Sequence, residues 1–399
     1  MNNFLSDRIL QMAESATIKM SQLARDLRAQ GRDIINLSLG EPDFDTPEHI
    51  KEAAMQALRD GYTKYTPVPG LPELRQAISE KFLRDNALHY DTDQIVVSNG
   101  AKQSLANISL ALLNPGDEVI VFAPYWVSYY EIIRLSGAVP VIVKADIDQD
   151  YKVKPEQLEA AITPRTKLVL YSSPCNPTGS AFTREELEAL AAVLEKHPDI
   201  LVISDEIYEY IRFGGSHASI GSLENMRHRT ITINGMSKGF AMTGWRIGYM
   251  GAPKWVAKAC AKMQGQFTSG ANAFGQKAAA VALQSDMSPT YAMRDAFQKR
   301  RDLVVEKLGK IPGMKVNLPE GAFYSFPDIS AFFGKSAGSF TIKNSEDFCT
   351  YLLEEAGVAS VPGAPFGADN CFRISFAASE EELMAACERI GEAIFKLSV

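Results

Sequence analysis

The sequence predicts an α/β fold, with a mainly parallel central sheet covered by helices on both faces and a smaller α+β unit beside it. Three observations carry this. Short apolar runs (QIVVS, EVIVFA, KLVLYS, ILVIS, TITIN) recur through the middle of the chain, separated by stretches of helical spacing. None alternates cleanly between apolar and polar residues, as a strand wetted on one face would, so each reads as a strand buried on both sides. Beyond about residue 290 the pattern changes to one long charged helix, short strands and a final helix. At 399 residues the chain can hold a large core and a second, smaller one. The boundaries read as 45–290 for a large domain, with 1–44 and 291–399 forming the small domain from both chain ends.

In chain order, 17–30 predicts an amphipathic helix with Met20, Leu23, Ala24 and Leu27 on one face, stopped by Gly31. INLSLGEPDFDTP then breaks at Gly40 into an acidic loop; a glycine there serves either a tight turn or a close approach of backbone to a ligand. A helix over 47–60 leads to a Pro/Gly loop bearing Tyr62 and Tyr65. The next helix starts near Pro72 and faces the core with Leu74, Ala77, Ile78, the stem of Lys81 and Phe82. The strand Ile95–Val97 turns at Asn99-Gly100 into a helix running from Ala101 to about Leu113. Backbone N–H groups at such a start attract anions, and Lys102 adds a cation; the plain alternative is a strand–turn–helix with no ligand.

EVIVFAPYW is a strand ending in Tyr125 and Trp126, and 139–144 is another, followed by a helix over 155–162. KLVLYSSP is a strand that ends in PCNPTG, which contains Asn176. Thr183 and Glu186 form a capping box that opens a helix reaching Lys196. ILVIS precedes Asp205, and TITIN precedes Lys238. Sites in parallel sheets lie beyond the carboxyl ends of the strands, and Trp126, Asn176, Asp205 and Lys238 all fall at such ends. In the last part, YAMRDAFQKRRDLVVEKLGK is a helix, KVNLPEGAFYSF contains short strands, and 346–356 is helical. VASVPG and CFRISFA follow. Ser379 and Glu382 cap the final helix, whose buried stripe is Leu383, Ala386, Cys387 and Ile390.

The net charge of −7 argues against a nucleic-acid footprint, so any anionic ligand must be held by local cations. Five scattered cysteines without CxxC spacing suit a reducing compartment and make no metal site, and the five histidines show no HExxH pairing. Charges interrupt the opening MNNFLSDRILQMAES where a secretory leader needs an apolar core, and no apolar run reaches the length of a membrane span, so the expectation is a cytoplasmic protein with no membrane partner. GxGxxG after a strand and GxxxxGK[ST] are absent, which removes the main support for dinucleotide and nucleoside triphosphate readings.

A lone Ser-Lys is an ordinary solvated charge, and Trp126, Tyr208 and Arg373 each have a structural alternative as core, helix-face or surface residues. Their order along the chain is specific. LSLGEPDFDTP, TKYTPVPG, PGDEVIVFAPYWVSY, SSPCNPTG, SDEIYE, SKGFAMTGWRIGY and FRISFA resemble, in sequence, the motifs of class I pyridoxal-phosphate aminotransferases of fold type I, in the branch of the bacterial aspartate aminotransferases. The resemblance implies pyridoxal 5′-phosphate as cofactor, with Lys238 as the amine that binds its aldehyde and carries a proton. It also implies Asp205 as the partner of the ring nitrogen, Asn176 and Tyr208 as donors to the phenolic oxygen, and Trp126 stacked on the ring. Gly100, Ala101, Lys102, Ser237 and Arg246 would hold the phosphate. Tyr65 would reach the phosphate of a neighbouring subunit in a homodimer with shared sites. Arg373 and the backbone at Gly40 would meet the substrate α-carboxylate, together with Trp126 and Asn176. Lys102 is similar to a lysine implicated in the distal carboxylate, which favours aspartate and 2-oxoglutarate as the amino acid and 2-oxo acid. Relatives that use prephenate carry Lys-Pro where this chain has Ala13-Glu14, which ranks prephenate second. Aromatic or other amino acids, and a lyase on the same fold, remain alternatives.

Overall fold

A computed structural model describes residues 4–14 and 16–398. Its centre is a seven-stranded sheet built from β1 (Ile95–Ser98), β2 (Glu118–Ala123), β3 (Val139–Lys144), β4 (Thr166–Ser172), β5 (Leu201–Asp205), β6 (Thr230–Gly235) and β7 (Gly248–Gly251), in the order β1-β7-β6-β5-β4-β2-β3. β2 is parallel to β3 and β4, β4 to β5, and β5 to β6. β7 runs antiparallel to both β6 and β1. Six strands therefore point the same way and only β7 is reversed. β7 was not expected from the sequence: it is four residues long, two of them glycine, with no β-branched side chain to announce it.

Both faces of the sheet are covered, which is why the strands lack alternation. Val119 and Val121 of β2 pack with Leu105, Ile108, Tyr129 and Val256 from helices Ala101–Leu112, Ser128–Leu135 and Lys254–Phe267 on one side. Their neighbours Ile120 and Phe122 pack on the other side with Leu187, Leu190 and Leu194 of the helix Arg184–Glu195. That helix begins as expected, with Thr183 and Glu186 in a reciprocal capping box.

The two ends of the chain meet in one further core. Ile35 and Leu37 pack with Phe297, Val304 and Leu308 of the helix Ser288–Gly309, and with Leu383, Ala386 and Ile390 of Glu380–Phe395. A three-stranded sheet, Val361–Pro362, Phe372–Ser375 and Tyr324–Ser325 in that order, lies against it, while Ile35–Asn36 pairs in parallel with Val358–Ala359. Two expectations need correction. In the helix Ala16–Ala29 the buried positions are Ser21 and Ala24, the latter against Ile34, Leu353 and Ala359, whereas Leu23 is 41% exposed. KVNLPEGAFYSF yields a strand only at its end. Pro319 has no N–H to pair, and Gly321 lies so close to Pro174 that an added Cβ would come within 2.5 Å of its ring.

Lys81 buries more than its stem. Its ammonium pairs with Glu209 and donates to Asn86 at 2.5 Å, and Asn86 donates to Glu209 at 2.6 Å. Beside it, Glu206 accepts from Ser204 (2.8 Å) and Ser219 (2.6 Å) and pairs with His217 at 2.8 Å. Glu206, Glu209 and His217 are the group among the described residues whose potential metal-ligand atoms cluster, within 4.8 Å, but the carboxylates already have Lys81, Asn86 and the two serines as partners. Removing the ammonium would leave Glu209 buried and unpaired. Lys81→Met is therefore expected to lower the unfolding free energy by about 3–5 kcal/mol, read from urea unfolding; a loss well under 1 kcal/mol would show that the pair behaves like a surface one.

Candidate active site

Because six strands run together, their carboxyl ends share one edge, and a cavity of about 350 Å³ opens there. Ala101 and Lys102 enter it from the helix after β1. Trp126 follows β2, Asn176 follows β4, Asp205 ends β5, and Ser237 and Lys238 follow β6. β7 brings Arg246 by the opposite logic: running backwards, it starts at this same edge, with Gly248 paired to Gly235 and Ser98. Arg373 comes from the strand Phe372–Ser375 and Gly40 from the segment after Ile35–Asn36, so both chain ends close the cavity from across the sheet.

The cationic end is built around glycine. Gly100 precedes the helix Ala101–Leu112 at φ +81°, and a Cβ there would fall 2.3 Å from a guanidinium nitrogen of Arg246. A Cβ on Gly248 would fall 2.1 Å from the Ala101 nitrogen, so the helix start sits directly against β7. No side chain caps this helix, in contrast to Thr183 at Arg184–Glu195, which leaves its first N–H groups for an anion. Lys102 stands 4.8 Å from the ring centroid of Trp126. Burial first, and then the neighbouring Arg246, hold its amine below the ordinary lysine value.

The cavity also holds a buried carboxylate. Asp205 is almost fully buried and accepts from Tyr129 Oη at 2.6 Å and from the Ile207 N–H at 3.2 Å. Burial pushes it up to about 6, against the lowering influence of those hydrogen bonds. Lys238 Nζ donates to the Gly40 carbonyl. Burial, with smaller contributions from Arg373 and Arg246, brings its amine down to about 8, although Glu41 and Asp205 oppose the shift. An amine with that value is partly neutral near neutral pH and able to act as nucleophile or base.

Arg373 is buried between two rings, Tyr324 at 4.4 Å and Phe366 at 5.1 Å from its guanidinium carbon. It donates to Asn176 Oδ1 (3.0 Å) and to the Ser38 carbonyl (2.8 Å), while its Nε has no partner. Tyr208 Oη lies 2.9 Å from Tyr324 Oη.

The residues fit pyridoxal phosphate. An uncapped helix start with Arg246 beside Gly100 suits a phosphate, a buried carboxylate suits a protonated ring nitrogen, and an amine of lowered basicity stands in the same cavity. Of the residues singled out in the sequence, Gly40, Ala101, Lys102, Trp126, Asn176, Asp205, Tyr208, Ser237, Lys238, Arg246 and Arg373 line this one cavity, and Gly100 adjoins it through Arg246. Tyr65 does not: it is 97% exposed and outside the cavity wall. Sequence reasoning passed over Tyr129, Tyr324, Thr17 and Glu41, all of which line it. Tyr129 was visible only as the third residue after Trp126, one helical turn on, and Tyr324 sat inside a segment read merely as strand.

Comparison with known proteins agrees with this geometry. The family model "Aminotransferase class I and II" matches residues 32–390. An aspartate/prephenate aminotransferase of Cereibacter sphaeroides is 50% identical over 390 residues, covering 97% of this chain and 98% of that one. The crystal structure of the aspartate aminotransferase from Rhizobium meliloti superposes with a TM-score of 0.96 at 45% identity, covering 99% of both chains. The Thermus thermophilus aspartate aminotransferase with maleate gives a TM-score of 0.91 at 44% identity, covering 98% of this chain and 99% of the other. A lysine and a buried aspartate lining one cavity are thus found on a chain that matches this family over nearly its whole length, and the chain belongs to the class I and II aminotransferases.

Proposed function

We propose that this protein is a pyridoxal-phosphate-dependent aspartate aminotransferase that exchanges the amino group of L-aspartate with 2-oxoglutarate. One observation carries the substrate class: two cations, Arg373 and Lys102, line the same cavity as Lys238, so an amine can be flanked by two carboxylates. The relatives named above are aspartate or aspartate/prephenate aminotransferases, which supports the reading.

When bound, pyridoxal phosphate supplies an aldehyde that captures the amine and a ring that takes up the electrons left by the departing α-proton. This chain's residues do the rest. The backbone N–H groups of Ala101 and Lys102, with Gly100, Ser237 and Arg246, would hold the phosphate, which leaves the Lys102 ammonium for the distal carboxylate. The Asp205 carboxylate, whose orientation is set by Tyr129, would keep the ring nitrogen protonated. Asn176 and Tyr208 would donate to the phenolic oxygen, and Trp126 would cover the ring. Arg373 takes the α-carboxylate through paired N–H groups, its unpartnered Nε among them. Lys238 Nζ, partly neutral because it is buried, removes the α-proton and redelivers it. Each half of the exchange uses the same residues in opposite directions, so the kinetics are ping-pong.

The large part of the chain, 45–290, is the cofactor-binding domain in this reading, and 1–44 with 291–399 is the domain that brings Gly40 and Arg373. Tyr65, 97% exposed, would serve the phosphate of a second copy, and Phe267, 63% exposed, would be covered in the same homodimer. No helix among the described residues is long and apolar enough to cross a membrane, which accords with a cytoplasmic enzyme. Prephenate is the second reading, favoured by the Cereibacter sphaeroides relative. It ranks lower because Ala13 and Glu14 place an acid and no cation shortly before Thr17, a residue of the cavity wall.

Lys238→Ala is expected to bind the cofactor without its pH-dependent yellow band and to lose amino-group exchange by at least about a thousandfold. Exchange at the original rate would end the assignment. Assayed side by side, aspartate is expected to exceed prephenate in kcat/KM; equal values would reverse the ranking. The pH dependence follows from Asp205. In the protein alone it holds its proton up to about 6, whereas the bound ring nitrogen requires the carboxylate. The Asp205 contribution to the cofactor Kd is therefore expected to be flat above that value and to rise about tenfold per pH unit below it. Asp205→Asn should abolish this break in a fluorescence titration; a break that survives the substitution belongs to another group.

A further inference from the structure

Tyr324 has no part in the scheme above, yet three of its members converge on it. Its hydroxyl lies 2.9 Å from Tyr208 Oη. Its ring underlies the Arg373 guanidinium at 4.4 Å, a placement fixed by register, since Tyr324 pairs with Ser375 on the strand that carries Arg373. A Cβ on Gly40 would stand 3.1 Å from the Tyr324 hydroxyl, so the backbone at Gly40 runs directly over it. Tyr324 is fully buried and lines the cavity.

A phenol has one hydrogen, and the direction in which Tyr208 points it matters. If Tyr208 spent its hydrogen on Tyr324, it would present only a lone pair to the cofactor's phenolic oxygen, and two oxygens would face each other. We propose that Tyr324 is a positioning residue that donates its hydroxyl hydrogen to Tyr208 Oη, which fixes the Tyr208 hydrogen toward the cavity as the donor to the phenolic oxygen. The inference rests on the reading of Tyr208 as that donor. Two physical arguments favour this polarity. The guanidinium over its ring makes Tyr324 the better donor, since a nearby cation stabilises the phenolate and so makes the hydroxyl hydrogen more acidic. Accordingly, burial carries Tyr208 well above the usual phenol value, while for Tyr324 the Arg373 charge is the largest influence against the rise. In addition, an oxygen that accepts a hydrogen bond donates a stronger one, so the Tyr324 contact strengthens what Tyr208 gives.

The readout is the pH midpoint of the holoenzyme's absorption band rather than its activity. Donation to the phenolic oxygen stabilises the anion there, which lowers the pH at which the adjoining proton leaves; weakening the donation raises the midpoint. Tyr208→Phe, as control, is expected to raise it. Tyr324→Phe keeps the ring beneath Arg373 and is expected to raise it by about half to one pH unit, with affinity for maleate unchanged. The double variant should match Tyr208→Phe alone, because Tyr324 acts only through Tyr208. A midpoint unmoved by Tyr208→Phe would overturn the reading of Tyr208 and this inference with it. A midpoint raised by Tyr208→Phe but untouched by Tyr324→Phe would overturn the inference alone. Should Tyr324→Phe not fold, Gly40→Ala crowds the same hydroxyl and is expected to raise the midpoint too; no rise there would overturn the inference.

Discussion

The burial of one carboxylate sets the terms for the rest of the site. Asp205 ends β5 in the middle of the sheet, where, among the described residues, the Tyr129 hydroxyl and the Ile207 N–H are the hydrogen-bond donors that compensate for lost water. An ionised acid in that setting costs free energy until a cation is brought to it, and this is why its proton is held up to about 6. Burial works on Lys238 in the other direction and brings it to about 8. Burial thus pushes an acid and an amine toward their neutral forms from opposite ends of the pH scale. A protonated ring nitrogen completes the first, and an aldehyde consumes the second, so a single ligand relieves both.

How the sheet achieves this depends on a turn that faces two ways. In Asp205–Tyr210, Asp205 and Tyr208 line the cavity. Glu206 and Glu209 point away, into the buried cluster with Lys81, Asn86, His217, Ser204 and Ser219. The cluster keeps two extra negative charges beside Asp205 from being left bare. Glu206 does raise Asp205 somewhat, so the charge behind the turn is felt in front of it. Most of the cluster's polar groups are engaged, although His217 Nδ1 is buried without a hydrogen-bond partner among the described residues, and groups so engaged have few alternative arrangements, which stiffens the backing of the residues that do chemistry.

Much of this was legible in the sequence because the relevant signals are local. Continuous apolar runs gave β1 to β6, and a residue's place just after such a run was enough to put Trp126, Asn176, Asp205 and Lys238 on one edge. What escaped depends on contacts between distant segments. β7 has a glycine at each end because Gly248 abuts the Ala101 nitrogen and Gly251 abuts the ring of Tyr90, where a Cβ would come within 2.3 Å. Those are packing constraints that no periodicity reveals. Lys81 looked like an amphipathic stem because its partner Glu209 lies far along the chain. Leu23 looked buried because helical spacing identifies a stripe, but which residue of the stripe meets Ile34 and Ala359 is decided by the approach of the strand. Tyr129 and Tyr324 belong with these: their importance lies in what their hydroxyls touch.

The reversed strand has a consequence for the cationic end. A seventh parallel strand would start at the far edge of the sheet and carry the residue before it away from the site. Running antiparallel, β7 starts where the others finish, and Arg246, two residues earlier, lands beside the helix start that follows β1. Arg246 itself has φ +57°, a left-handed backbone that a non-glycine residue adopts at some cost. The conformation turns the chain from the Thr243–Trp245 segment into β7 within one residue, and the Arg246 guanidinium donates back to the Thr243 carbonyl at 2.9 Å. A guanidinium, a lysine and an uncapped helix start then converge on one point from two strands that are neighbours only through this reversal. An overall charge of −7 gives no general attraction for a phosphate, so this convergence must supply the binding locally. That requirement explains why the sheet tolerates a glycine at each end of β7.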